Sequence, residues 1–223
     1  ETPAGRGWLL HFGSVGIILL AALCFHLAQR PLDAPTSAPL SWLRHNWLPT
    51  AALLAVTLAA ALLRLKDLEV LPEGFWYDEG VNALIARRIL AEPEFRPFYL
   101  TETFHTAHHD YLVAVAFRLL GESIASARLV SAVMGIVLVP AGWLLAYEFF
   151  QTRPNHGKVS RTPLLMAFTM ASLLAFVPWS VNLSRIAVNY IATPLFVVLA
   201  TGLLLRGLRT QSVLAYAGAG MAL

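Results

Sequence analysis

The chain has 223 residues, 57% of them hydrophobic and 13% charged, with a formal net charge of +3. Soluble domains carry roughly a quarter charged residues, so this composition argues against a soluble domain and for the membrane class. The sequence holds no nucleotide-binding loop, no internal repeat and no basic patch suited to nucleic acid, and its single Cys24 excludes an intrachain disulfide.

Five stretches are uncharged or nearly so: Trp8 to Ala28, Leu48 to Leu63, Leu129 to Tyr147, Thr162 to Ser184 and Ile186 to Leu205. With flanking positions each can cover the roughly 30 Å hydrocarbon core, which takes about 17 to 25 helical residues. A sixth apolar run opens at Ser212 and continues to Leu223. The expected fold is therefore an all-α, polytopic transmembrane helical bundle of about five complete spans plus a cut sixth, with outer juxtamembrane helices. Trp8 to Ala28 is long for the apolar core of a signal peptide, and no small-residue cleavage site clearly follows it, so it is expected to be a retained span. With no initiating Met and an apolar run at its end, the sequence is expected to be part of a longer protein. Residues 1–47 form an N-terminal span and connector, and residues 48–223 the N-terminal part of the main transmembrane domain.

Charge sets the expected orientation, because short cytoplasmic loops retain Lys and Arg. The loop 150–161 carries Arg153, Lys158 and Arg161, and the loop 206–211 carries Arg206 and Arg209, both without an acid. These two loops are expected on the cytoplasmic side. The loop 66–123 then faces outward, and its Lys66 to Glu122 segment holds ten of the thirteen acidic residues. Within it, Tyr111 to Leu120 is apolar but too short to span, which predicts a helix lying along the outer interface.

The outer loop opens with Leu71-Pro72-Glu73-Gly74-Phe75-Trp76-Tyr77, where Pro and Gly break the preceding helix and three aromatics suit the headgroup zone. A helical pattern follows at Val81, Leu84, Ile85 and Ile89, with Asp78 placed as its N-cap and Arg87 and Arg88 near its end. A second account starts from adjacent carboxylates, Asp78 and Glu79, held at the lipid interface. A positioned Asp or Glu can take the proton of an attacking alcohol. Arg87, Arg88, Arg128 and Arg185 all fall on or near the outer side, where a guanidinium could meet a departing phosphate, or where each could simply snorkel at a helix end. The cluster His105, His108, His109 and Asp110 has the side chains to bind a divalent metal, although its spacing matches no metal signature and solvated loop histidines are the alternative.

Several ordered elements resemble the N-terminal part of GT-C-type, lipid-dependent glycosyltransferases, the family 39 group with protein mannosyltransferases and aminoarabinose transferases. They are Arg64-Leu65, then Leu71-Pro-Glu-Gly-Phe-Trp-Tyr-Asp-Glu-Gly80, then Tyr111-Leu-Val-Ala-Val-Ala-Phe-Arg-Leu-Leu-Gly121. Ala127-Arg-Leu-Val-Ser-Ala-Val-Met-Gly135 and Pro178-Trp-Ser-Val-Asn-Leu-Ser-Arg185 follow in order, so the likeness covers roughly Leu48 to Gly207. The resemblance implies a GT-C-like bundle in a prokaryotic plasma (inner) membrane. It implies transfer of a sugar from a polyprenyl-phosphate donor to an acceptor at the outer face, with inversion. It makes Asp78 the base with Glu79 beside it, and gives Arg87, Arg88, Arg128, Arg185 and Tyr77 substrate contacts. The sequence departs from the family at His108-His109-Asp110, where many relatives have Pro-Pro. It departs again at Asn189-Tyr190, in the stretch where many have an Asp.

Two other functions fit the composition. A transporter or flippase would use Pro140, Pro178 and Pro194 as breaks in path-lining helices, but would be expected to hold acids inside its spans, and none falls there. A non-catalytic subunit would pack its helices against other membrane subunits, for which the small residues of Ala215-Tyr-Ala-Gly-Ala-Gly220 are suited. In every case the bilayer is the first partner.

Overall fold

The computed structural model describes residues 47–100, 105–151 and 162–222. The expected span Trp8 to Ala28, its connector, and the basic residues Arg153, Lys158 and Arg161 lie outside the described residues.

The fold is mostly helical. Helix α1 (Trp47–Leu65) leads into the long loop 66–123, which contains α2 (Tyr77–Ala91), the short strands β1 (Tyr99–Leu100) and β2 (His105–Thr106), and α3 (His108–Leu120). The strands pair antiparallel, Tyr99 with Thr106 and Leu100 with His105. Helix α4 (Ile124–Phe149) follows, then α5 (Thr162–Phe176), the single-turn α6 (Pro178–Leu183), a 3₁₀ turn (Asn189–Ile191), α7 (Ala192–Thr210) and α8 (Val213–Met221).

Three helical segments are long and apolar enough to cross a membrane: Trp47–Leu65, Ile124–Phe149 and Asn189–Thr210. The expected spans from Leu48, Leu129 and Ile186 correspond to these. The expected span Thr162 to Ser184 is instead broken. Pro178 has no N–H to donate to the Leu174 carbonyl, and Val177 before it is extended, so α5 stops after 15 residues and the chain restarts as α6. Hydropathy runs through this break because Val177 and Pro178 are both apolar.

Helix α4 is the centre of the bundle, packing against α1, α3, α5 and α7. It starts at Ser123, whose hydroxyl accepts from the Ser126 N–H at 3.1 Å, as an N-cap requires. Lipid chains are as apolar as Leu, so helices in a bilayer associate through close fit. The contacts here suit that rule. Ala60, Val139, Ala171 and Ala175 form one buried cluster between α1, α4 and α5, and a Cβ added at Gly202 of α7 would sit 3.3 Å from the Leu145 backbone of α4. Leu48, Leu54, Leu58 and Leu62 of α1 face outward, as lipid contact would require.

Candidate functional site

The chemistry-bearing side chains collect at the end of the bundle where α1 finishes and α4 and α7 begin. The helical pattern expected at Val81, Leu84, Ile85 and Ile89 is α2, but of these four only Ile89 is buried and Leu84 is exposed. The buried face is Glu79, Asn82, Ala86 and Ile89, spaced 3, 4 and 3 along one side of the helix. Asp78 is not the N-cap either. Trp76 occupies that position, and Glu79, three residues on, reaches back to accept from the Trp76 N–H at 3.0 Å.

Glu79 is wholly buried and saturated. One carboxylate oxygen accepts from Arg128 Nε and from the Ala187 N–H, each at 2.8 Å; the other accepts from an Arg128 terminal nitrogen at 3.0 Å and from Trp76. Burial alone raises a carboxyl, but these bonds from Arg128, Ala187 and Trp76, with the Arg128 charge, outweigh it and hold Glu79 below its ordinary range. Every lone pair useful to a base is already engaged. Asn82 donates to the Ala187 carbonyl at 3.0 Å, so one face of α2 grips both backbone groups of Ala187.

Arg128 is also fully buried, against the expectation that it would meet a substrate phosphate. It makes five hydrogen bonds, one for each of its N–H groups: two to Glu79 and three to the carbonyls of Leu68, Pro72 and Gly74. These fold the loop that leads into α2. The turn needs Gly74, whose φ of +80° other residues rarely adopt. Arg185 serves the same loop, donating to the carbonyls of Leu63, Lys66 and Leu71.

Arg64, quoted in the sequence only as part of a motif, is buried at the end of α1 against the broken segment. It donates to the Leu174 carbonyl at 2.8 Å and to the Ala175 carbonyl at 3.0 Å, the acceptors left at the end of α5 by the Pro178 break. Ser180 Oγ donates to the Leu174 carbonyl as well.

Asp78, one residue from Glu79, points about 100° away from it around the helix and is exposed. Its Oδ2 accepts a hydrogen bond from the Tyr190 hydroxyl at 3.2 Å. Tyr190 stands in the stretch where the family pattern leads one to look for a second acid. Tyr77, which precedes Asp78, is 84% exposed and Trp76 64%. Arg87 and Arg88 lie further along α2, paired with Glu122 at 3.0 Å and Glu92 at 2.8 Å, and all four side chains are more than half exposed.

The histidine cluster does not converge. His105 Nε2 meets Asp110 Oδ2 at 3.0 Å, His108 Nδ1 meets Thr106 Oγ1 at 2.8 Å, and His109 Nε2 meets Ser131 Oγ at 3.1 Å. Among the described residues no three His, Cys, Asp or Glu side chains come together as a metal site. These residues do not fit a shared divalent ion. Ser131 donates its one hydrogen to the Val188 carbonyl, so His109 must donate through Nε2, which leaves Nδ1 a buried acceptor with no partner among the described residues. Burial, with His108 and His105 nearby, takes His109 from 6.5 down to about 3. Burial pushes the Asp110 carboxyl up, against the pull of His105.

At the far end of α4, Glu148 is buried and accepts from Arg209 at 2.6 and 2.9 Å, with Arg206 at 3.6 Å. The expectation that the spans hold no acid therefore fails, because α4 runs past Tyr147 and takes Glu148 into its last turn.

Tyr190, Asn82, Ser131 and Glu148 were not singled out by sequence as carrying these contacts. Only the Glu79 and Asn82 pair had a local signal, an i, i+3 spacing of polar residues on one helix face. Comparison with protein-family models, with curated proteins and with solved structures returned no match.

Proposed function

We propose that this chain is the N-terminal part of a multi-pass membrane glycosyltransferase with Asp78 as its general base. In this reading the end of the bundle bearing Asp78 faces the outer side of a prokaryotic plasma membrane, and the Glu148 end faces the cytoplasm. The acceptor hydroxyl loses its proton to the Asp78 carboxylate as its oxygen attacks the sugar's anomeric carbon. The bond from that carbon to the phosphate oxygen breaks, the polyprenyl phosphate leaves with the electron pair, and the anomeric configuration inverts. Glu79 does not exchange protons. It holds the start of α2, and with it the adjacent Asp78, against α4 and Ala187.

The observation that carries the reading is the division of labour between neighbouring carboxylates. One is saturated and buried, the other open to solvent and held by a single phenol. A carboxylate with a free oxygen at the mouth of an apolar bundle can reach both a lipid-borne donor and a soluble acceptor. Arg128 is fully committed to Glu79 and the loop, so of the two expected cations that are buried Arg185, whose Nε–H none of the described residues engages, suits the leaving phosphate better.

The test uses the full-length parent protein in lipid nanodiscs, with polyprenyl phosphate carrying radiolabelled mannose or aminoarabinose. Asp78→Asn is expected to lower transfer by at least about 100-fold, the lower range for a general base, with insertion unchanged. Retained transfer would remove Asp78 from that role.

A further inference from the structure

We infer that Tyr190 is a positioning residue for Asp78, holding one carboxylate oxygen so that the other is presented to the acceptor hydroxyl. The inference rests on the transferase reading and names the group that takes the place of a second acid. The Tyr190 hydroxyl donates to Asp78 Oδ2 at 3.2 Å across 112 residues of sequence, and Oδ1 has no partner among the described residues.

Tyrosines at membrane interfaces commonly sit with their hydroxyl in water and no fixed partner. Tyr190 is 52% exposed, so its bond to Asp78 is too wet to bring the two residues together by itself, and its part is to orient a carboxylate already placed beside it. The pairing is set instead by buried supports on both sides. Next to Asp78, Glu79 is locked by Arg128, Trp76 and Ala187. Next to Tyr190, Ile191 is buried in the cluster with Met134, Leu138 and Leu195, and the Val188 carbonyl is held by Ser131. Ala187 joins the two sides, since both of its backbone groups are bound by α2. A phenol and a carboxylate held from behind in this way meet at the surface without needing the bond between them.

The chemistry follows from the donor and acceptor inventory. A phenol offers one hydrogen, and an ionised carboxylate only accepts. A second carboxylate at this place would repel Asp78 and compete for the acceptor's proton. A phenol supplies a hydrogen bond, carries no charge, and restricts rotation of the carboxylate about its Cβ–Cγ bond.

The experiment pairs two readouts on the full-length protein in nanodiscs, comparing Tyr190→Phe with the parent. The first is carboxyl labelling by a water-soluble carbodiimide and an amine, with peptide mass spectrometry at Asp78 and exposed Glu73 as the internal reference. Loss of the bond is expected to speed labelling of Asp78 relative to Glu73 by about two- to tenfold, the factor one net hydrogen bond represents. An unchanged ratio would overturn the pairing whether or not the protein is a transferase. The second is turnover of the same radiolabelled donors. Tyr190→Phe should lower kcat with the donor KM unchanged, and Asp78→Asn with Tyr190→Phe should be no slower than Asp78→Asn alone. Faster labelling with an unaltered kcat would overturn the positioning role. Faster labelling in a parent that turns over neither donor would count against the transferase reading itself and so remove the catalytic role with it, the pairing alone surviving.

Discussion

Arg128 and Glu79 meet in the interior of the protein at 2.8 Å, with neither side chain exposed, and between them hold four further backbone groups of the long loop 66–123 and one beyond Arg185. Removing one member of a buried ion pair strands the other, at about 3–5 kcal/mol. Glu79→Ala and Arg128→Ala are each expected to lower the thermal unfolding midpoint strongly in detergent. The double variant should lose less than the sum of the two. Additive losses would mean that the two side chains act separately.

Arg64 should matter through carbonyls rather than through charge. Arg64→Met keeps much of the side chain's bulk but leaves the Ala175 carbonyl without that donor and the Leu174 carbonyl with Ser180 alone. A buried group left unsatisfied costs about 1–3 kcal/mol. The loss should appear as faster amide hydrogen exchange over 173–184, with α7 little affected. Unaltered exchange there would show that the break at Pro178 does not depend on Arg64.

His109 gives the fold an acid-sensitive element. Its pKa is depressed from 6.5 to about 3 by burial and by His108 and His105, so the unfolded chain binds a proton that the folded chain does not. The associated stability is fully present above about pH 6.5 and is lost as pH falls towards 3. His109→Gln, which can keep a donor to Ser131, should flatten the decline in melting temperature between pH 6.5 and pH 4. An equally steep decline in that variant would assign the sensitivity elsewhere.

Gly135 lets α4 approach α6 and Arg64. A Cβ there would lie 2.3 Å from the Ser184 Cβ and 2.9 Å from Arg64 Nε. Gly135→Ala is expected to destabilise by about 1–3 kcal/mol, the usual cost of overpacking. Gly220→Ala is the matched control, since nothing lies within 4 Å of the added carbon. Equal melting points for the two variants would show that the Gly135 contact yields without cost.

What could be read from sequence divides by the range of the interaction. The segments from Leu48, Leu129 and Ile186 were recognisable because long apolar runs declare themselves within one window. The break in Thr162 to Ser184 had a local cause in Pro178, but hydropathy does not register a missing N–H. Asp78 and Glu79 looked equivalent in sequence, yet neighbours on a helix point about 100° apart, so one faces α4 and the other water. Which faces inward depends on Arg128, 49 residues away, and no local pattern carries that. Arg128 and Arg185 were visible as charges at the ends of apolar runs; that their donors turn to loop carbonyls follows only from the folded backbone. The histidines were visible as a group, but each takes a different partner once α3 forms.

The grip of α2 on both backbone groups of Ala187 has an evolutionary corollary. Adding or deleting one residue between Ala187 and Tyr190 would move the phenol by up to about 3.3–3.6 Å along the chain, beyond hydrogen-bonding reach of Asp78. Loop length at this place should therefore be invariant among working descendants of this sequence.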